Sequence, residues 1–283
     1  MIHKQGYFTG KNDLPLFYQF WFPTSQKNQP LNGIVIFLHG FSEHSGRYMN
    51  LVNELIPHDF ALYGMDMQGT GKSEGKRWHI KNFYDYLNDL HKYIEMINFK
   101  HPELPLFIFA HSMGAVVACS YLLTYKQMHK KIKGVILNGP AFSLKSIDSF
   151  LLILAKILAF FWPSFRLDSG LPVQNISRDP EILKNLNKDP LICRSATARF
   201  AVELTRTMKN TMKRFNQFKF PLLILHGEMD KIVMPEISKN IYEKVKSADK
   251  NRIVYKNGFH EVINDLDYKK ALTDITNWLK KHI

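Results

Sequence analysis

Leu106-Phe-Ile-Phe-Ala-His-Ser112-Met-Gly114 is an apolar run that ends in small-x-Ser-x-Gly and continues into a helical pattern. A serine hydroxyl is a poor nucleophile unless the fold exposes it, sets a base beside it and stabilises the oxyanion it creates. A strand, a tight turn and a helix in that order meet those demands. The turn is so sharp that the positions two before and two after the serine must be nearly free of side chain. Here they are Ala110 and Gly114, where glycine is usual at both. From Met113 to Tyr125 the residues Ala115, Val116, Cys119, Leu122 and Leu123 recur at three- and four-residue spacings, which predicts the helix. The bland alternative is a loop serine whose hydroxyl caps that helix.

Other apolar β-type runs are Ile34–Leu38, Ala61–Met65, Gly134–Leu137, Leu222–Leu225 and Arg252–Tyr255. Continuous runs suit strands buried on both faces, the habit of parallel sheets. Helical patterns lie between them, the clearest being Phe83 to Ile97 with Phe83, Tyr86, Leu87, Leu90, Tyr93, Ile94 and Ile97 on one face. The expected class is α/β, a mostly parallel doubly wound sheet. The alternation breaks after Gly139-Pro140 and resumes near Phe220-Pro221, with helices expected over Ser143–Phe161, Asp179–Leu186 and Pro190–Phe215. This predicts a core of residues 1–140 and 217–283 and an inserted helical lid, 141–216, over the carboxyl ends of the strands, where such folds bind ligands.

If Ser112 is a nucleophile, its acid and base should follow in chain order at later strand ends. Asp230 follows Leu222–Leu225 in the turn His226-Gly-Glu-Met-Asp230, and His260 follows Arg252–Tyr255. His260 would take the serine proton and Asp230 would fix the imidazole. The backbone N–H groups of Met113 and of Phe41, in the loop after Ile34–Leu38, are the expected oxyanion donors. Gly71-Lys72-Ser73 resembles the end of a phosphate-binding loop, but that motif needs glycine where Asp66 stands. Zinc-ligand spacings such as His-Glu-x-x-His are absent, so neither a metal nor another cofactor is called for.

The 283 residues are 45% hydrophobic, enough for a full core, and the net charge is +13. Residues 141–219 carry 13 basic and 6 acidic side chains and the most apolar run, Phe150–Trp162. That run is too short to span a bilayer, and it suggests either an interfacial element for anionic membrane or a helix buried against its own domain. The charge lacks a nucleic-acid reading module, so no nucleic acid is expected. Two cysteines, Cys119 and Cys193, and an amino terminus without a long apolar core suggest free thiols and a cytoplasmic protein with peripheral membrane contact.

His39-Gly-Phe-Ser-Glu-His-Ser-Gly-Arg-Tyr48, Asp66-x-x-Gly-x-Gly-x-Ser-Glu-Gly75, His111-Ser-Met-Gly114 and Asp189-Pro-Leu-Ile-Cys-Arg194 together resemble the monoacylglycerol lipase family of serine α/β hydrolases. The resemblance runs from near the amino terminus past His260 and includes the lid. It implies a serine esterase that splits monoacylglycerol into fatty acid and glycerol through a Ser112–His260–Asp230 triad and an acyl-enzyme. Glu43, Arg47 and His111 match residues at the glycerol end, and Cys193 matches a lid cysteine without a catalytic role. Two departures stand out. Family members carry a glycerol-contacting tyrosine where this chain has Leu186, which bears on head-group selectivity, and Met67-Gln68 replaces a common histidine and glycine. The rival readings are a lysophospholipase using the same site and a non-catalytic membrane-binding protein on a hydrolase scaffold.

Overall fold

The structure, a computed structural model, describes residues 1–24, 30–143 and 149–283. Its sheet is built from β1 (Ile2–Thr9), β2 (Pro15–Phe22), β3 (Gly33–Leu38), β4 (Phe60–Met65), β5 (Leu106–His111), β6 (Ile132–Asn138), β9 (Leu222–Gly227) and β10 (Lys250–Tyr255). Two short strands, β7 (Arg166–Asp168) and β8 (Ser195–Thr197), pair separately. The sheet order is β1-β2-β4-β3-β5-β6-β9-β10. The six strands expected from apolar runs are all present and mutually parallel, while β1 and β2 form an antiparallel hairpin laid on β4.

Every residue of β3, β4, β5 and β9 is buried, because helices cover both faces. These are α1 (Met49–Leu55), α2 (Tyr84–Lys100), α3 (Met113–Thr124), α7 (Glu236–Lys244) and α8 (Tyr268–Lys280). The period-two alternation of a strand divides β3 between two cores. Ile34, Ile36 and Leu38 pack with Tyr86, Leu90, Tyr93 and Val116, whereas Val35 and Phe37 pack with Leu51, Leu55, Leu272 and Ile275. All seven residues assigned to the apolar face of α2 are buried. This is the α/β hydrolase fold, with the sheet and helices in the expected order.

Between β6 and β9 the chain forms α4 (Ser149–Phe161), β7, α5 (Pro180–Lys188), β8 and α6 (Ala198–Arg214). Of the helix expected over Ser143–Phe161, α4 covers Ser149–Phe161, and residues 144–148 of that expectation lie outside the described residues. The helix expected from Pro190 begins only at Ala198. Its first eight residues instead turn and pair with β7, because Arg166 donates to the Ser195 carbonyl and to Ser195 Oγ, and Thr197 caps α6 by accepting from the Phe200 N–H. No helix among the described residues is long and apolar enough to cross a membrane. Cys119 and Cys193 are both free thiols.

Candidate active site

Ser112 sits where β5 meets α3, with φ +50° and ψ −115°. A side chain rarely tolerates this backbone region, which costs on the order of 1–3 kcal/mol and persists only when the surroundings impose it. They do so here. The Ser112 N–H donates to the Asn138 carbonyl at the end of β6, and the Ala141 N–H donates to the Ser112 carbonyl. A Cβ at Gly114 would lie 2.5 Å from the Leu38 carbonyl oxygen and 2.7 Å from that of His39, so only glycine lets α3 start this close to β3. The side chain of Ser112 makes no capping bond to α3. The hydroxyl faces His260 instead.

Ser112 Oγ is 2.9 Å from His260 Nε2, and His260 Nδ1 is 2.7 Å from Asp230 Oδ2. The three residues come from the ends of β5, β10 and β9, so the sheet order brings together positions far apart in the chain. The turns after β9 and β10 lock onto one another: the Met229 N–H donates to the Gly258 carbonyl, and a Cβ at Gly227 would stand 2.1 Å from the Phe259 carbonyl oxygen. Gly139, with φ +53°, leaves room for the His260 ring, 3.1 Å from where its Cβ would be.

Asp230 accepts from the Ile232 and Val233 N–H groups on Oδ1 and from His260 on Oδ2, and His226 Nε2, 2.7 Å from the Val233 carbonyl, lies 3.1 Å from the same Oδ2. Burial opposes its ionisation, but the two histidines outweigh that and hold the carboxyl well below the usual range. Burial likewise disfavours the His260 imidazolium. The adjacent Asp230 carboxylate, backed by Glu261 and Glu43, nevertheless raises its pKa above the ordinary 6.5. A histidine poised in this way can both accept a hydroxyl proton and return it to a leaving group.

Ser112 and His260 open into a cavity of about 250 Å³. One part of its wall is polar, with Glu43, Arg47, His111 and Glu261, and Phe41 and Met113 border it beside Ser112. The insertion supplies most of the apolar wall, with Leu167, Leu171, Val173, Ile176, Leu186, Phe200, Leu204 and Met208, and adds the polar Asp168, Ser169, Arg194 and Thr205. The turn carrying Phe41 lies against Ser112, since a Cβ at Gly40 would be 3.1 Å from Ser112 Cβ. The sequence places Glu43, Arg47 and His111 here but gives no reason for Glu261 or His226. Glu261 binds Arg47 through both carboxylate oxygens, at 2.6 and 2.8 Å, and Arg47 also donates to Glu43 at 2.8 Å. The available signals were position alone: Glu261 follows His260, and His226 precedes Asp230 by four.

The segment from Asp66 to Gly75 braces this loop. Asp66 accepts from the Ser45 and Lys72 N–H groups, and Ser73 Oγ donates to the Asp66 carbonyl. A Cβ at Gly71, whose φ is +48°, would collide with the Asp66 carboxylate at 2.0 Å. This glycine-rich turn is therefore packed against an acid. His44, in the same loop as Phe41, reaches the insertion through a 2.8 Å contact with Asp189. Cys193 accepts from Arg166 at 3.1 Å and does not border the cavity.

The family model described as serine aminopeptidase, S33, matches residues 29–267. The chain is similar to the monoacylglycerol lipase of Paleococcus ferrophilus, at 31% identity and a TM-score of 0.83 over 95% of this chain and 99% of that one. The chain belongs to the monoacylglycerol lipase family of serine α/β hydrolases. It is also 28% identical to the monoacylglycerol lipase of Mycolicibacterium smegmatis over 98% of this chain and 96% of that protein. A soluble variant of the monoglyceride lipase of Saccharomyces cerevisiae, in complex with a substrate analogue, aligns at 25% identity and a TM-score of 0.88, covering 100% of this chain and 96% of that one. As a member of this family the protein is a carboxylic ester hydrolase.

Proposed function

We propose that the protein hydrolyses monoacylglycerols to fatty acid and glycerol, with Ser112, His260 and Asp230 as its triad. The observation that carries this reading is a serine–histidine–carboxylate chain, 2.9 and 2.7 Å per link, facing a cavity lined by Glu43, Arg47, His111 and Glu261 together with a mostly apolar wall from the insertion. The names of the relatives support the same substrate class.

In this reading Ser112 Oγ attacks the ester carbonyl carbon as its proton passes to His260. The resulting oxyanion takes hydrogen bonds from the N–H groups of Phe41 and Met113, and removing one such donor costs about 10²–10³ in rate. His260 then protonates the departing glycerol oxygen as the carbon–oxygen bond breaks, leaving the acyl group on Ser112. Water, deprotonated by His260, attacks the acyl-enzyme, and the fatty acid leaves with Ser112 regaining its proton. Asp230 stays ionised and stabilises the imidazolium.

Residues 141–216 act as the lid and residues 1–140 and 217–283 as the core, with the acyl chain lying among Leu171, Ile176, Phe200 and Leu204. Each methylene buried there contributes about 0.8 kcal/mol, so acyl length is read by the insertion. Glu43, Arg47 and His111 border the glycerol. The membrane is met through α4 and the residue after it, where Ile153, Ile157, Phe160, Phe161 and Trp162 are exposed around Lys156.

The test is fluorophosphonate labelling of wild type and Ser112→Ala, with fatty-acid release from a dispersed monoacylglycerol measured in parallel. Labelling confined to wild type together with release is the expected result. Labelling with release only from lysophospholipid would reassign the head group, and equal hydrolysis by Ser112→Ala would remove Ser112 from the mechanism.

A further inference from the structure

His260 and the turn carrying Phe41 belong to different loops, and one ion-pair network joins them. Glu261 is the residue after His260, and both of its carboxylate oxygens are held by Arg47, from the loop after β3. Arg47 Nη1 also donates to Glu43 Oε2. Glu43 Oε1 accepts from the Gly40 N–H at 2.5 Å and from the Tyr48 hydroxyl at 2.9 Å, so the carboxylate that Arg47 anchors is the one that fixes the Gly40–Phe41 turn. The Glu261 carboxylate also accepts from Asn264 Nδ2, and its N–H donates to the Ile176 carbonyl in the insertion. The Glu43 and Glu261 side chains are only 4% and 5% exposed, and that of Arg47 is 11% exposed.

We propose that Glu261, acting through Arg47 and Glu43, is a positioning residue that keeps the base His260 and the oxyanion donor Phe41 in one register. This rests on the roles given above to His260 and Phe41. A buried ion pair contributes little net stability, because desolvation offsets the attraction. What a bidentate guanidinium–carboxylate pair supplies is fixed geometry between the two loops. It also sets local charge. One guanidinium between two carboxylates leaves negative charge beside His260, whose other charged or titratable neighbours among the described residues are Asp230 and His111, the latter with its ring centroid at 4.8 Å. The glutamates and Asp230 favour the imidazolium, and Arg47 and His111 oppose it.

Two substitutions separate geometry from charge. Glu261→Gln removes the charge and one arm of the clamp, whereas Glu261→Asp keeps the charge and shortens the arm. Hydrolysis of a monoacylglycerol is measured across pH for both, beside wild type, with thermal unfolding as the check on folding. For Glu261→Gln the expected result is a kcat about 10- to 100-fold lower, below the loss of a whole oxyanion donor, with KM changed by less than about threefold. Its acid limb of kcat/KM moves to lower pH, because the imidazolium has lost a stabilising charge. Glu261→Asp lowers kcat by at least about fivefold and leaves the limb where wild type has it.

A Glu261→Gln enzyme with wild-type kcat and an unmoved limb would overturn the proposal. So would equal losses in both variants with no movement of either limb, the signature of a merely structural residue. If Glu261→Gln does not fold, a wild-type kcat in Glu261→Asp is the overturning result. Fluorophosphonate labelling of wild type separates this failure from that of the underlying reading. An unlabelled wild type removes the triad assignment itself, whereas a labelled wild type with indifferent Glu261 variants removes only the role of Glu261.

Discussion

Replacing Ser112 by glycine should abolish activity and yet give a more stable protein than replacing it by alanine. Both variants lose the Oγ contact with His260, so that contribution cancels between them. They differ in the Cβ, which alanine retains at φ +50° and ψ −115°. Holding a side chain in such a region costs about 1–3 kcal/mol, and glycine is free of that strain. Glycine in turn loses about 0.5–1 kcal/mol more than alanine in conformational entropy on folding. The difference leaves Ser112→Gly ahead by roughly 0–2.5 kcal/mol, about 1 kcal/mol at the middle of both ranges. At about 2.1 cal/mol/K of unfolding entropy per residue, 1 kcal/mol moves the midpoint of a chain of this size by about 2 °C. Calorimetry or urea titration of the two purified variants therefore resolves the effect, and ester hydrolysis by both should be at least roughly 10⁴-fold below wild type. A glycine variant no more stable than the alanine variant would refute the claim that the turn stores strain at Ser112.

Because His260 must be neutral to accept the serine proton and its pKa lies above 6.5, kcat/KM should fall as pH drops through a value above 6.5. Asp230→Asn should lower kcat by about 10⁴-fold, and an activity loss of less than tenfold would count against the pairing. Asp89, buried in α2 with Oδ2 unpartnered among the described residues, has its carboxyl pushed by burial up to about 7. A raised carboxyl keeps its proton in the folded state while the unfolded chain releases it. Its contribution to stability is therefore largest at low pH and falls as pH rises from about 4 to about 7, by up to about 1.4 kcal/mol per pH unit. Asp89→Asn should remove that slope from urea titrations across this window, and an unchanged slope would contradict it. Phe160→Asp with Phe161→Asp should weaken binding to anionic vesicles by at least about tenfold while leaving hydrolysis of a water-soluble short ester as in wild type. Wild-type vesicle binding by that pair would place the membrane contact elsewhere.

Much of the fold was legible because its signals are local. An apolar run bounded by turn residues, as at Ile34–Leu38 or Leu222–Leu225, carries its own evidence of a strand buried on both faces, and Phe83–Ile97 carries that of an amphipathic helix. The hairpin of β1 and β2 was not legible: its first strand is mostly exposed and its second meets β4 only through tertiary pairing. The stretch from Pro190 to Thr197 read as helix because its composition allows one, and the Arg166 hydrogen bonds that draw it into a strand come from another segment. The candidate triad was readable because each member follows a strand, and strand ends share one edge of a parallel sheet. Glu261 and His226 were not, since a carboxylate or an imidazole gains its role from the partner it meets.

The sequence by itself determined the six parallel strands and the helix over Phe83–Ile97, which turns need glycine and which serine, acid and histidine stand at strand ends, because these follow from side-chain size and hydrophobic period within a few residues. Only the tertiary structure decided that Arg47 lies between Glu43 and Glu261, that His226 supports Asp230 and that the insertion supplies the apolar wall above Ser112. The Arg47–Glu261 pair and the wall from the insertion join separate segments, and the pairs four residues apart meet only once their turn is folded. Their energies depend on burial and on distances of a few ångströms, which come into being only when the sheet closes its strand ends around a common site.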